Sequence, residues 1–167
     1  MEKYLRQLIS IEFEDKREIF SGFLIDYSDE WILLRNNPVD FIVDGYVLLK
    51  NKNIKSIHRD EDHEFTEKVI RLKGVKTNAE DIIPIKDLAS IISYLDKKYG
   101  VFQIAKKSSK SAYLGKLIEL NKEELTIDFL DIRGEFGGEL SFNPDKIRVI
   151  EFDTDYINSL QLVIKED

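Results

Sequence analysis

The chain has 167 residues, 43% hydrophobic and 34% charged, a balance that belongs to a folded globular chain and excludes a disordered one. Its 32 acidic and 25 basic side chains leave a net charge of −7, which excludes a surface that grips nucleic acid all over, because phosphate binding needs clustered Lys and Arg. The absence of cysteine excludes disulfides, thiolate nucleophiles and Cys-based zinc sites, and with no apolar leader core and no apolar run of about 18 residues the expectation is a cytoplasmic protein without membrane partners.

In chain order, residues 5–13 alternate loosely through Ile9, Ile11 and Phe13, which predicts a strand preceded by at most a turn of helix. Glu14-Asp15-Lys16-Arg17 is a hairpin loop, and 19–27 is a second strand that Gly22 allows to bend. Ser28-Asp29-Glu30 turns into a third strand over 31–35, and Asn36-Asn37-Pro38 breaks the ladder. A fourth strand is expected over 41–50 with Gly45 inside it, then the tight turn Asn51-Lys52-Asn53 and a short fifth strand at 54–58. Residues 58–64 read as an acidic loop, 65–72 as an additional strand and 74–81 as a linker. From Pro84 the period becomes helical through Ile85, Leu88, Ile91, Ile92, Leu95 and Tyr99, with Gly100 placed to end the helix. Strands follow near 101–106, 111–120, 123–130, 135–142 and 147–152, and 153–166 is open between helix and strand.

The two halves repeat. Phe20-Ser21-Gly22-Phe23-Leu24-Ile25-Asp26 returns 93 residues later as Tyr113-Leu114-Gly115-Lys116-Leu117-Ile118-Glu119, and the same offset puts Gly45 on Gly138, Ile54 on Ile147 and Ile57 on Ile150. This divides the chain into units 1–73 and 101–167, joined by a linker and amphipathic helix at 74–100. A unit of about 60 residues is marginal alone, so the two are expected to lean on each other.

Five bent strands after a helical turn, with a glycine in the second and a tight turn before the fifth, resemble the Sm-like branch of the SH3-type small barrels. Leu49-Lys50-Asn51-Lys52-Asn53-Ile54-Lys55-Ser56-Ile57 is similar to the family's second motif, and Phe20-Ser21-Gly22-Phe23-Leu24 to the opening of its first. The resemblance implies a mainly β protein with minor α content, two Sm-like or SH3-like five-stranded barrels in tandem. RNA-holding members of the family carry an Asp-x-x-Asn segment between strands two and three and an Arg-Gly or Lys-Gly turn between strands four and five. Here Tyr27-Ser28-Asp29-Glu30-Trp31-Ile32 lacks the asparagine, Lys50-Asn51 is a partial match to the turn, and Asn143-Pro144 is none. RNA binding does not follow from such a fold alone.

Residue chemistry points away from catalysis. His58 and His63 flank an acidic run, but their spacing on a loop matches no established zinc pattern, so no metal or cofactor is expected. No serine sits in an activating context, and Gly134-Glu135-Phe136-Gly137-Gly138 precedes no helix that would present amides to a phosphate. The basic concentration is Lys106, Lys107, Lys110 and Lys116, with Lys50 in the first unit and Tyr113 as a stacking group.

Aligned positions are apolar in both units at Leu24/Leu117, Ile32/Leu125, Leu34/Ile127, Val47/Leu140 and Leu49/Phe142, which should face the interiors. The interleaved positions differ in kind: Phe23, Trp31, Leu33, Tyr46 and Leu48 of the first unit stand against Lys116, Glu124, Thr126, Glu139 and Ser141 of the second. An exterior that apolar needs a cover, from the 85–99 helix, the second unit, a partner protein or another copy of the chain. The expectation is a non-catalytic binding or scaffolding protein acting through that face. A weak nucleic-acid binder using the lysines is the alternative, and an enzyme with an unrecognised site the third reading.

Overall fold

Alternating apolar residues build both halves. In a computed structural model, which describes residues 1–106 and 111–166, the first half supplies β1 (Leu8–Phe13), β2 (Ile19–Tyr27), β3 (Trp31–Asn36), β4 (Tyr46–Lys50) and β5 (Ile54–His58). The second supplies β6 (Val101–Ala105), β7 (Ala112–Leu120), β8 (Leu125–Leu130), β9 (Phe136–Phe142) and β10 (Val149–Phe152). Three α-helices are described: α1 (Glu61–Leu72), α2 (Leu88–Lys98) and α3 (Asp155–Glu166).

The strands form one open antiparallel sheet of ten strands, in the order β5-β1-β2-β3-β4-β10-β6-β7-β8-β9. The expectation of a mainly β chain with minor α content holds, but the strands make one open sheet and two separate five-stranded barrels are not seen. To close a barrel, β4 would have to spend its outer edge on β5 of its own half; it spends it on β10, with Leu49 opposite Val149 and Leu48 opposite Ile150. Both halves thus share one ladder.

Three local expectations also change. Residues 65–72 are helical: Asp60 caps α1 by accepting the N–H groups of Asp62 and His63, and acids in the first turn with Arg71 in the last suit the helix dipole. The fourth strand starts only at Tyr46, because Gly45 adopts φ +60° and the chain before it turns on Asn37, whose side-chain amide donates to the Asp40 and Ile42 carbonyls. The 85–99 helix begins at Leu88, where Asp87 caps it by accepting from Ser90 N–H.

The shared ladder fixes which face each side chain takes. Ile9, Ile11, Leu24, Ile32, Leu34, Val47 and Leu49 fill the first interior together with Ala105 and Val149 of the second half. On the opposite face, Leu48, Ile150 and Ile104 lie side by side across β4, β10 and β6. The outer face of the first half is therefore continuous with the interior of the second, and Ile91, Ile92 and Leu95 of α2 pack into the same cluster.

Candidate functional site

Phe23, Trp31, Leu33, Tyr46 and Leu48 are buried within the chain, at 0, 0, 1, 6 and 0% exposure. Trp31, Leu33, Tyr46 and Leu48 join the cluster of α2, Ile150 and Phe152, while Phe23 packs with Leu8 and Ile70 of α1 under the Arg71 guanidinium, 5.5 Å from its ring. Full burial of side chains of this size stabilises by about 1.5–3 kcal/mol each, so this face acts as core. These five residues occupy two places rather than one continuous patch.

Where β3, β4, the linker and α2 meet, a cavity of about 300 Å³ opens between Arg35, Tyr46, Tyr94, Lys98, Tyr99 and Asp153. The Arg35 guanidinium lies 4.6 Å over the Tyr46 ring and donates to the Gly45 carbonyl at 2.7 Å, and Tyr46 stacks on Phe152 at 5.0 Å. Burial raises the phenols of Tyr46, Tyr94 and Tyr99 above the usual range, which keeps them neutral donors rather than bases. Lys98 is paired with Asp81 and Lys76 with Glu80, so the linker spends its acids on neighbouring lysines.

The two histidines stand apart. His58 Nε2 meets Ser56 Oγ at 2.8 Å and Glu12 at 3.4 Å. His63 bridges Asp60 Oδ1 at 2.7 Å and Ser10 Oγ at 2.8 Å, and Ser10 Oγ meets Ser21 Oγ at 2.6 Å. Ser10, His63 and Asp60 thus follow the order of a nucleophile, a base and its orienting acid, an arrangement no sequence spacing announced. Yet Ser10 is 8% exposed and the Asp60 carboxylate is spent on the α1 cap, so the chain of bonds serves to tie α1 to β1 and β2. Among the described residues, no group of three or more His, Asp or Glu side chains is placed to hold a metal ion.

Among the described residues, the named lysines stand in three different settings. Lys50 pairs with Glu30 at 2.9 Å and covers the Trp31 ring at 4.9 Å, whereas Lys116 lies 3.8 Å from Asp128 and 4.1 Å from the Phe136 ring. Lys106 lines a separate cleft, and Lys107 and Lys110 lie outside the described residues. The glycine-rich run forms the turn into β9, where the Asp131 carboxylate accepts the N–H groups of Arg133 and Glu135.

The two ends of the sheet are different in kind from its middle. β5 pairs only with β1 and β9 only with β8 among the described residues, so each leaves one backbone edge without a strand. Gly45 and Gly138, 93 residues apart in the sequence, report the contrast. A methyl on Gly45 would stand 2.6 Å from the Phe152 carbonyl of β10, whereas one on Gly138 meets nothing within 4 Å. No known protein family, curated protein or solved structure matches the chain.

Charge differs between the edges too. Lys52, Lys55 and Arg59 lie on or beside β5, and Glu135 and Glu139 on or beside β9, although Lys55 and Arg59 already pair with Glu12 and Glu67. No helix of the described chain is long and apolar enough to cross a membrane.

Proposed function

We propose that the protein is a non-catalytic scaffold made of two Sm-like five-stranded units in tandem, which joins further copies of itself through β5 and β9. One observation carries this reading: inside the chain, β4 accepts β10, and the edges left open at the two ends are the repeat equivalents of those same strands. Counting 93 residues on from β4 gives 139–142 on β9, and 93 back from β10 gives 56–59 at the end of β5. A second junction in the internal register sets Ile57 opposite Ser141 and Arg59 opposite Glu139. Such an edge is a template for strand addition, and the opposite charges favour β9 on β5 over either edge on itself. The contact is heterologous, so it closes into a ring or extends as a filament according to the rotation at each step.

Light scattering over a concentration series is the direct test. The mass should rise in whole multiples of the chain, and Glu139→Lys should weaken assembly by about tenfold through like-charge repulsion at Arg59. A chain that stays a single copy at every concentration contradicts the reading.

A further inference from the structure

We propose that the cavity between β3, β4, the linker and α2 binds a small zwitterion of the free α-amino acid class, with its carboxylate on Arg35 and its ammonium on Asp153. The cavity has a volume of about 300 Å³, the lower end of the range for small-molecule sites. It lies against the middle strands of the sheet, away from the open edges β5 and β9, so its occupation is independent of the proposed assembly.

Six charged side chains line it: Arg35, Lys76, Lys98, Glu80, Asp81 and Asp153. Lys76 pairs with Glu80 and Lys98 with Asp81. Glu80 also feels the Arg35 charge but is bonded to Lys76. Among the described residues, Arg35 and Asp153 form no ion pair. Arg35 donates only to neutral carbonyls, from Nη1 to Gly45 at 2.7 Å and from Nε to Lys76 at 3.4 Å; its Nη2 has no acceptor and is not closed off from solvent. Asp153 Oδ1 accepts from Asn158 Nδ2 at 3.0 Å, while Oδ2 has no donor and is likewise open.

The Asp153 carboxylate is also not spent on a helix end. Asp60, 93 residues earlier, gives its carboxylate to the cap of α1, whereas at the start of α3 it is Thr154 Oγ1 that accepts the Ile157 N–H, at 3.2 Å. Asp153 stands at φ +56°, a left-handed conformation uncommon for a residue with a side chain and recurrent at ligand clamps.

The class of ligand follows from the charges. Three cations and three carboxylates sum to zero, so an ion of either sign gains no net attraction and leaves one of the two unpaired groups unmet. A molecule carrying both charges meets both: Arg35 Nη2 donates to its carboxylate, and its ammonium donates to Asp153 Oδ2, each a charge-assisted bond. The rings of Tyr46, Tyr94 and Tyr99, held neutral by burial, form walls with Ala79 and Ile83 that take the carbon skeleton and reduce competition from water.

Melting curves with each of the protein amino acids in turn, at about 2 mM, test the site. At least one should raise the melting temperature by about 3 °C or more, as a Kd below about 0.2 mM requires. For that amino acid, calorimetry should show a single saturable site. Its N-acetyl and carboxamide derivatives, which each lack one of the two charges, should bind more weakly by about tenfold or more. Asp153→Asn keeps an acceptor for Asn158 and tolerates positive φ, so the free protein should melt as before while affinity falls by about tenfold or more. No amino acid raising the melting temperature beyond a sodium chloride control, undiminished binding of either derivative, or full affinity in Asp153→Asn would each overturn the proposal.

Discussion

A methyl group on Gly22 would stand 2.5 Å from the Arg35 carbonyl oxygen, and one on Gly115 2.5 Å from the Asp128 carbonyl oxygen. In both places a strand passes so close to its neighbour that only hydrogen fits, and backbone cannot yield as a side-chain tip can. Gly22→Ala and Gly115→Ala should each lower stability by roughly 1–3 kcal/mol, read from the urea midpoint with unchanged slope. These two glycines were legible in the sequence because a close approach within one hairpin leaves the same mark wherever it recurs. The ion pair of Arg148 with Asp15 was not, since 133 positions separate them and neither residue type is unusual where it stands. The same holds for Ser10 and His63, which meet only after α1 has folded back onto β1.

Elements whose signal is local are legible in the sequence, and those that depend on a cap or on a distant strand are not. α1 carries Phe65, Val69, Ile70 and Leu72, a run that reads as a strand until Asp60 and the acidic first turn are weighed; tertiary contact of Ile70 with Leu8 and Phe23 then holds the helix in place. α3 at the end of the second half has the same length and opens just after Thr154, whose Oγ1 accepts the Ile157 N–H, so its helical signal was divided between cap and period. β10 is the element on which the shared sheet turns. Its Glu151 lies opposite both Val47 and Gln103 and accepts from Gln103 Nε2 at 2.6 Å. Burial, with Glu18 and Asp44 adding, raises the Glu151 carboxyl from 4.5 to about 7. The folded state therefore favours the protonated acid: this contribution is fully present below about pH 4.5 and is lost as pH rises through about 7. Glu151→Gln should stabilise the protein by on the order of 2–3 kcal/mol at pH 8.5 and leave it nearly unchanged near pH 4.5, measured as the difference in urea midpoints. An equal shift at both pH values would mean that packing, not ionisation, sets the effect.

Over the whole molecule, the apolar outer face of the first half finds its reason in the continuity of the sheet. Alternation within each strand was enough to separate Trp31, Leu33, Tyr46 and Leu48 from the first interior, and they lie in the cluster that also holds Ile150, Phe152 and α2. What alternation could not carry is the union of β4 with β10. That junction is made of backbone hydrogen bonds over four residue pairs, with no side-chain code of its own, so two separate closed barrels and one open sheet predict the same hydrophobic pattern. The open edges β5 and β9 follow from it, and with them the proposed assembly.

The register of that assembly can be measured in a chain that has no cysteine. In the internal junction, Lys50 N–H donates to the Arg148 carbonyl at 2.9 Å; the offset of 93 residues leads from these to Asn143 and Lys55, which the proposed assembly would bring together from two copies. Lys55→Cys and Asn143→Cys, made separately and mixed under mild oxidation, should give a disulfide-linked pair of chains on a non-reducing gel, with little cross-linking in either variant alone. Cross-linking that is no greater in the mixture than in the separate variants would contradict the pairing of β9 with β5.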